Sequence, residues 1–502
     1  MAKEKFSKTA VVPTREEDFP GWYQAVIKAS ELAEVSPARG CMIIRPWGYA
    51  IWERMKSLLD AKIKETGHEN VYFPLFIPLS YMQKEADHVE GFAKECAVVT
   101  HHKLTQKEGG ELVPDGKLEE PYIVRPTSET LIGEAFSKWV QSYRDLPMKI
   151  NQWANVVRWE MRTRMFLRTV EILWQEGHTV HATSEEAKAH TLMMLDVYHQ
   201  FVTSVLAIPV VRGEKTEIER FAGAEATYTI EALMQDGKAL QCGTSHFLGQ
   251  HFAKSADISF LDEHGQQQTA WTTSWGMSTR LVGALIMAHG DDNGLTLPPA
   301  IAPLQIVLLP ILHQLEKKDE ILDYCHQIKS QLASLEWQGE KIRVSLDDRP
   351  MKGGEKSWHW IKKGVPLRIE IGAREVDQKR VSVFQRNQEV KARQVMDQSD
   401  LSTFVVGTLT DMQETMYSES EGSLKKNTVF INSLDEFKSF FSEKKSGFAR
   451  AYWCNDSDKE AALAKEFGVS VRCILSEDLS QERRCFLSGR EAKAEVLFAK
   501  AY

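Results

Sequence analysis

The stretch from Asn155 to His181 constrains the fold of this chain more than any other. It reads NVVRWEMRTRMFLRTVEILWQEGHTVH, and two runs of alternating apolar residues flank a short basic segment at 162–164. Alternation with a period of two is typical of half-buried strands, and two such runs around a polar turn indicate a hairpin. We therefore expect an antiparallel hairpin with a cationic loop.

The polar residues of this hairpin are not interchangeable. Arg158 and Glu160 stand two apart, which would place both on one face of the first strand. Arg168 would add a second fixed cation near that face. A tryptophan, a carboxylate and a histidine recur at period two on the return strand, at Trp174, Glu176 and His178. Such a face suits a polyphosphate nucleotide beside a small zwitterion; the alternative is a solvated amphipathic hairpin.

Composition bounds the class of protein. A chain of 502 residues, 43% of them apolar, is long enough for two to four domains. No run of about eighteen apolar residues is present, and the start, MAKEKFSKTAVV, has no apolar signal core. Seven cysteines without a Cys-x-x-Cys pair fit a reducing compartment. We expect a cytoplasmic protein that does not cross a membrane.

Charge is informative only locally. The net charge of −8 by itself predicts no affinity for nucleic acid, but residues 341–393 hold fourteen Lys and Arg against seven Asp and Glu. This segment predicts a nucleic-acid partner.

Periodicity and turn residues predict the remaining elements. We expect helices at 21–39 and 47–66, a strand at 71–78 broken by a proline, and a charged hairpin or loop at 103–120. Residues 80–92 could form a mobile flap or an ordinary surface helix and loop. Strands and helices alternate from residue 302, the polar residues 410–427 indicate a linker or an exposed helix, and the last 75 residues alternate again.

Three further segments contain candidate ligand-binding residues. Thr127 or Ser128 would serve as an N-cap, but capping does not explain why Glu129 stands beside them at the end of a strand. Small residues at 241–246 would let a ligand approach the backbone. Arg280 in an apolar helix would be costly to bury unless it meets an anion.

Ordered motifs identify a family resemblance. The segments FPLFIP, VVRWE…FLRT…WQEGH and WGMSTRLVGALIMAHGDDNGLTLPP resemble motifs 1, 2 and 3 of class II aminoacyl-tRNA synthetases. With RPTSET, QCGTSH and GEK…IKKGVPLRIEIG, the chain resembles the prolyl-tRNA synthetases of the archaeal/eukaryotic type over essentially its whole length.

The resemblance implies an α+β fold with three domains. We expect a class II catalytic domain built on an antiparallel sheet at 1–301 and an α/β anticodon-binding domain at 302–405. A linker at 406–427 and a small α/β C-terminal domain at 428–502 would follow. The family also implies a homodimer formed through motif 1, around Pro74.

The implied reaction adenylates L-proline with ATP and then transfers proline to the 3′ end of tRNA(Pro), with Mg²⁺ on the ATP phosphates. Arg158 and Arg280 would be the catalytic residues. The residues implied for proline are Thr127, Glu129, Arg158, Trp174, His178, His246 and Ser278. Those implied for ATP are Arg158, Glu160, Arg168, Thr169, Gln241, Thr244 and Arg280.

The chain departs from the family pattern at two places. Ile172 stands where an aromatic residue usually covers the adenine, so we expect somewhat weaker ATP binding. In the C-terminal domain Cys454 and Cys485 remain, while Lys459 and Leu487 replace the other two zinc ligands of many relatives. Two thiolates do not close a tetrahedral site, so we expect no structural zinc; Cys473 as a substitute ligand is the alternative.

The resemblance also implies contacts with tRNA. Candidate tRNA contacts are Arg349, Lys352, Lys356 and Arg368, with Trp358, Lys362 and Lys363 beside them, although each could belong to a solvated basic face.

No room remains between motifs 2 and 3 for an editing domain, so we expect alanine activation without editing in cis. The competing interpretations are a threonine-type sister enzyme, a catalytically dead tRNA-binding paralogue and an unrelated nucleotide-binding enzyme.

Overall fold

Three larger β-sheets, three two-stranded sheets and the helices packed against them make up the described part of the architecture. The computed structural model describes residues 10–84, 96–312, 315–443, 446–479 and 481–502. The helices are α1 (Phe19–Ala29), α2 (Pro46–Glu65), α3 (Leu79–Lys84), α4 (Glu129–Trp139), α5 (Ser184–Gln200), α6 (His251–Ser255), α7 (Arg280–His289), α8 (Lys318–Ala333), α9 (Gly353–Lys363), α10 (Ala373–Gln378), α11 (Leu401–Lys426), α12 (Leu434–Ser442) and α13 (Ser457–Phe467).

The strands are β1 (Ala33–Val35), β2 (Met42–Ile44), β3 (Glu69–Asn70), β4 (Phe76–Pro78), β5 (Ala97–Gln106), β6 (Leu112–Val124), β7 (Met148–Val157), β8 (Glu171–His181), β9 (Val210–Glu214), β10 (Ala226–Leu233), β11 (Ala239–Gly249), β12 (Ser259–Leu261), β13 (Gln267–Thr269), β14 (Trp271–Ser278), β15 (Ile306–Pro310), β16 (Glu336–Trp337), β17 (Glu340–Lys341), β18 (Val344–Leu346), β19 (Leu367–Ile371), β20 (Arg380–Gln385), β21 (Gln394–Asp397), β22 (Thr428–Phe430), β23 (Phe448–Trp453), β24 (Ser470–Ser476) and β25 (Ala494–Ala499).

One continuous sheet of eleven strands dominates the molecule. Its order is β22-β23-β25-β24-β9-β10-β11-β14-β8-β7-β3, and the run from β24 to β7 is antiparallel throughout. A five-stranded sheet, β18-β15-β19-β20-β21, and a three-stranded sheet, β4-β6-β5, stand apart from it. The predicted α+β class, with an antiparallel catalytic sheet followed by two α/β units, is confirmed.

The predicted basic hairpin is present as β7 and β8. The pairing runs in register from Met148 opposite Val180 to Val157 opposite Glu171. The first strand ends at Val157, so Arg158 and Glu160 lie in the connecting loop and do not share a strand face, contrary to the prediction. Alternation along β8 survives, because strand geometry turns successive side chains to opposite faces.

The second face of β8 is packed under helix α5. Gly177 on that face leaves space for the indole of Trp275, since a Cβ there would come within 1.9 Å of the ring. Thr183 caps α5 by accepting a hydrogen bond from the Glu186 backbone amide at 3.2 Å, as expected for a Ser/Thr cap. The largest buried apolar cluster extends from α1 and α2 through α5 and α7 into the five-stranded sheet.

The last strands of the chain join the catalytic sheet directly. Strand β24 meets β9 at Ile474 opposite Glu214. Gly213 permits this approach, because a Cβ there would lie 2.3 Å from the Ile474 carbonyl oxygen. The C-terminal strands are therefore an extension of the sheet that carries β8 and β14.

Several predicted bounds are wrong. The helix predicted at 21–39 ends at Ala29, and β1 and β2 follow it. Residues 406–427, expected as a linker, form most of the 26-residue helix α11, which agrees with the helical alternative for 410–427, but its Val405, Leu409 and Met412 are buried. In the strand predicted at 71–78, regular pairing is confined to Phe76–Pro78.

Other predicted elements are confirmed. The helix predicted at 47–66 is α2, and the charged hairpin at 103–120 forms the outer part of β5 and β6. The flap predicted at 80–92 lies mostly outside the described residues. Among the described residues, no helix is long and apolar enough to span a membrane.

Candidate active site

Four adjacent strands and the start of α4 enclose a cavity of about 260 Å³. Ten of the residues predicted for proline or ATP line it. They are Thr127, Glu129, Arg158, Trp174, His178, Gln241, Thr244, His246, Ser278 and Arg280. The sheet thus brings together residues that are up to 153 positions apart in the chain (127 to 280).

A carboxylate pair forms one wall of the cavity. The Thr127 hydroxyl donates to the Glu129 carboxylate. Next to them, Ser128 donates to Glu176 at 2.5 Å and Gln152 donates to the same oxygen at 2.6 Å. Burial alone would raise the pKa of Glu176, but the His178 contact and the Ser128 and Gln152 hydrogen bonds hold the pKa below its ordinary value. Glu176 therefore stays ionised although it is only 3% exposed.

Two histidines face the cavity in different electrostatic settings. His178 Nε2 lies 3.1 Å from Glu176, which fixes the orientation of its ring. His246 Nδ1 lies 3.0 Å from the Thr227 hydroxyl, and its ring packs 4.6 Å from that of Phe221. Burial lowers the pKa of His246 to about 4, and this outweighs the nearby charge of Glu129. His246 is thus neutral at physiological pH.

Guanidinium groups also face the cavity. Arg158 Nε donates to the Pro126 carbonyl at 2.9 Å, and its guanidinium lies 5.4 Å from the Trp174 ring centroid. Burial lowers the pKa of Arg280, and the positive charges of Arg168 and Arg158 lower it further. Three cations within mutual electrostatic reach favour an anion between them, which is the expected environment for a polyphosphate.

Three predicted ATP residues are not among those that line the cavity. Glu160 accepts a hydrogen bond from the Arg162 backbone amide at 2.8 Å. Thr169 is buried and donates to the Glu171 carbonyl at 2.6 Å, so its hydroxyl already has a partner. Arg168 is exposed, in the tight turn that pairs it with Arg164.

Sequence reasoning missed several lining residues. They are Glu219, Phe221, Thr227 and Ser274, together with the backbone of β11 and β14. Ser274 could have been found, because it shares the period-two face of Ser278 in β14, and it lies in register between His178 and His246. Its buried hydroxyl and the Trp174 Nε1 have no hydrogen-bond partner within the described part of the chain. Both are therefore available to a ligand.

Cys454 and Cys485 lie in the same buried cluster of the C-terminal region. Ser488 donates to Cys454 Sγ at 3.6 Å, and Lys459 pairs with Asp456 at 2.5 Å. Cys473 belongs to a different buried cluster from Cys454 and Cys485, which argues against it as a substitute ligand. Among the described residues no three potential ligands are grouped to hold a metal ion.

Two of the proposed tRNA contacts are wrong. Lys356 is 2% exposed and donates to the Asp347 carbonyl at 3.0 Å. Arg368 is buried, with Nε 3.2 Å from Glu370 and its guanidinium over the Phe384 ring. Neither cation is presented to a phosphate.

The other proposed tRNA contacts differ in how they are placed. Arg349 is partly exposed and forms a bidentate pair with Asp347, whereas Lys352 is exposed at the start of α9. Lys363 pairs with Glu31 at 2.7 Å and lies between the rings of Trp47 and Trp360, so it serves the junction with the catalytic sheet.

Comparison with known proteins gives a consistent result over the chain. Residues 113–289 match the tRNA synthetase class II core domain (G, H, P, S and T), 305–408 match an anticodon binding domain, and 434–502 match the C-terminal region of prolyl-tRNA synthetase. The chain is 54% identical to a proline--tRNA ligase of Paramagnetospirillum magneticum, with both chains covered completely.

Two other relatives agree. Proline--tRNA ligases of Protochlamydia amoebophila and Bdellovibrio bacteriovorus are 53% and 51% identical, with 98–99% of this chain and 99% of each relative covered. These relatives come from bacteria, so the archaeal/eukaryotic type expected from the motifs is not supported. The matches over all three domains, together with the convergent arginines of the cavity, show that this chain belongs to the prolyl-tRNA synthetases, a family of class II aminoacyl-tRNA synthetases.

Proposed function

We propose that this chain activates L-proline with ATP to prolyl-adenylate and transfers the prolyl group to the 3′ end of tRNA(Pro). The observation that carries this proposal is the cavity whose wall includes the carboxylate of Glu129 together with the guanidinium groups of Arg158 and Arg280. A carboxylate beside two guanidinium groups matches a substrate pair that offers an ammonium, a carboxylate and phosphates.

The amino-acid end of the cavity fits an imino acid. Proline carries a secondary ammonium with two N–H donors, which Thr127 and Glu129 would accept. The rings of Trp174, His178 and His246 would enclose its apolar ring. Because His246 is neutral at physiological pH, it adds no charge to that ring site.

The nucleotide end supports catalysis by orientation and charge. Arg158 would hold the proline carboxylate against the α-phosphate, and Arg280 would hold the γ-phosphate. No general base is needed, because a carboxylate is already a nucleophile. Orientation of this kind can contribute roughly 7–11 kcal/mol to the lowering of the barrier, and cationic stabilisation of the pentacoordinate phosphorus adds to it.

Mg²⁺ belongs to this proposal as a companion of ATP. It binds proteins through one or two carboxylates together with substrate phosphates, so it does not require a dedicated protein cage. Gln241 and Thr244 line the cavity near the position proposed for the nucleotide, whereas Glu160 and Thr169 stay outside it. Charge compensation on the phosphates is the contribution that the metal would supply.

Two further proposals concern editing and assembly. Strands β9 to β11 and helix α5 occupy the chain between the β7–β8 hairpin and β14, so we expect no editing of alanine in cis and measurable alanine-dependent activation.

Tyr72, Phe76 and Trp139 are exposed aromatic residues near Pro74, which fits a homodimer through motif 1. Sedimentation equilibrium at micromolar concentration would contradict this if it showed only monomer.

The reaction is tested by amino-acid-dependent exchange of pyrophosphate into ATP, with each of the twenty amino acids. We expect proline to give the highest kcat/KM and alanine a weak but measurable rate. Glu129→Gln should raise the KM for proline by at least about tenfold, because a charge-assisted hydrogen bond to the ammonium is lost.

A control variant separates this effect from loss of folded enzyme. Glu119→Gln changes a carboxylate on β6 that does not line the cavity, and it should leave the KM for proline and the KM for ATP unchanged. Full proline activity in Glu129→Gln, or preference for another amino acid in the wild type, would contradict the proposal.

A further inference from the structure

The cavity is completed by a loop that the C-terminal strands hold in place. Residues 215–225, which we call the cavity loop, connect β9 to β10 and contribute Glu219 and Phe221 to the cavity wall. Phe221 packs on the His246 ring at 4.6 Å, and its backbone amide donates to the Thr227 hydroxyl at 3.1 Å. The position of this loop therefore sets the shape of the amino-acid end.

Arg472 reaches this loop from β24. Its guanidinium makes a forked contact with Glu231 on β10, with Nε and Nη2 each 3.2 Å from the Glu231 carboxylate oxygens. Nη1 lies 3.9 Å from the Glu219 carboxylate, on the cavity loop itself. Arg472 is 7% exposed and the Glu231 side chain is fully buried, so this pair is poorly screened by solvent, whereas the Glu219 side chain is 32% exposed.

Two cations surround the buried carboxylate of Glu231. Lys215, at the start of the cavity loop, donates to Glu231 at 2.8 Å, and both residues are at most 1% exposed. Lys215 and Arg472 thus both face Glu231, and Arg472 also faces the partly exposed Glu219. Removing Arg472 would leave the buried Glu231 with one cation instead of two and would release the contact between β24 and the cavity loop.

A second contact ties the same loop to the C-terminal region. Thr216 donates to Glu460 on helix α13 at 2.9 Å, and both residues are buried. The cavity loop is therefore held at Thr216 by a helix and at Glu219 by a strand, both from residues 457–476.

From these contacts we infer that Arg472 is a positioning residue, which acts through Glu219 and Glu231 to hold the cavity loop in the shape that binds the amino acid. This inference rests on the proposed function, because it assigns the amino-acid end of the cavity to proline. The C-terminal strands then take part in substrate recognition without touching the substrate.

The test is steady-state pyrophosphate exchange with Arg472→Gln in the full-length chain. We expect the KM for proline to rise by at least about tenfold, since small misplacements of binding groups have effects of this size. The KM for ATP should stay within about twofold, and Arg472→Lys, which keeps the charge, should restore part of the proline affinity. A purely structural role would lower the amount of folded enzyme and leave both KM values unchanged, which would overturn the inference.

Arg386→Gln is the matched control. Arg386 is a similarly buried arginine that forms a forked pair with Asp291, at 2.6 and 2.8 Å, across the junction between β20 and the loop after α7. Asp291 does not line the cavity, so the KM for proline should not change in this variant. An equal rise of this KM in Arg386→Gln would overturn the inference.

Two further outcomes are distinguishable. If Arg472→Gln does not fold, a double-mutant cycle of Arg472→Lys with Glu219→Gln replaces it, and additive effects on the KM for proline would overturn the inference. If the wild type shows no proline-dependent exchange, the proposed function fails. A wild type that is active with proline and an Arg472→Gln variant with the same KM would overturn only the positioning role.

Discussion

At the scale of single residues, three buried histidines lie beneath the catalytic sheet. His68 Nε2 and His190 Nε2 are 3.2 Å apart, and the His181 ring lies 5.1 Å from the His190 ring. Burial lowers the pKa of His68 and His181 to about 4 and that of His190 to about 2, and the charge of Lys149 adds to this. The folded protein therefore holds all three rings neutral at physiological pH.

This cluster predicts that the protein loses stability in acid. Histidine in the unfolded chain has a pKa of about 6.5. Below that pH the unfolded chain therefore binds protons that the three buried histidines of the folded protein do not bind. The free energy of unfolding should be at its full value above pH 6.5 and fall as the pH drops to about 4. Each histidine contributes about 1.4 kcal/mol per pH unit within that window. Urea unfolding at pH 7.5, 6.0 and 5.0 measures the slope.

A pair of variants isolates the histidines from other acid-sensitive groups. His190→Gln should have a shallower slope than the wild type, because one of the three groups no longer titrates. His264→Gln, at an exposed turn, should keep the wild-type slope. Equal slopes in His190→Gln and the wild type would contradict this account of the cluster.

Ile172 carries the second prediction at this scale. It lines the cavity at the position where the family resemblance predicts contact with the adenine. Ile172→Phe should lower the KM for ATP about two- to tenfold, because aromatic stacking contributes about 0.5–1.5 kcal/mol beyond area burial. Ile172→Leu should leave it unchanged. An unaltered KM for ATP in Ile172→Phe would show that the adenine lies elsewhere.

At the scale of elements, the junction between β9 and β24 determines whether the C-terminal strands reach the cavity loop. A Cβ on residue 213 would lie 2.3 Å from the Ile474 carbonyl oxygen and 2.8 Å from Cys473 Sγ. Gly213→Ala must therefore push β24 away from β9, and Arg472 moves with it. We expect a lower Tm together with a raised KM for proline, measured by calorimetry and pyrophosphate exchange.

Gly407→Ala is the control for this substitution. Gly407 is exposed in helix α11, and a Cβ there meets nothing within 4 Å. Alanine should raise stability by roughly 0.5–1 kcal/mol at such a position and leave the KM values alone. An unchanged KM for proline in folded Gly213→Ala would contradict the role given to this junction.

Elements set by local patterns could be predicted from the sequence. The β7–β8 hairpin and helix α2 follow from alternation and from an apolar stripe, and both depend on neighbours in the chain. For residues 410–427 the sequence did not distinguish a linker from an exposed helix, because the polar face of α11 dominates its composition, while Met412 and its neighbours pack against a distant domain. Burial of that kind is decided by tertiary contacts.

The same distinction applies to the site. Glu129 and Arg280 could be predicted as ligand-binding residues, because neither helix capping nor apolar packing explains a charged side chain at those positions. Glu219 and Phe221 were missed, since the cavity loop has no periodicity and gains its place from Arg472. Lys356 was misassigned because its partner, the Asp347 carbonyl, is visible only in the fold.

At the scale of the whole molecule, the three regions interlock through buried polar contacts. Gln413 on α11 donates to the Ser204 carbonyl at 2.7 Å and accepts from the Ala300 amide at 3.1 Å. Arg386 pairs with Asp291, and Tyr502 donates to Asp236 at 2.7 Å next to the turn between β10 and β11. The anticodon-binding and C-terminal regions are thus anchored to the catalytic sheet.

The central claim is that one cavity holds proline and the nucleotide together, with Glu129 at one end and Arg280 at the other. Titration calorimetry with a prolyl-adenylate mimic, in which a sulfamoyl group replaces the phosphate, tests it most directly. We predict tight binding to the wild type, at least about tenfold weaker binding to Glu129→Gln and to Arg280→Gln, and no change in Arg450→Gln, a surface pair with Glu495. Equal affinity of the wild type, Glu129→Gln and Arg280→Gln for the mimic would contradict the account.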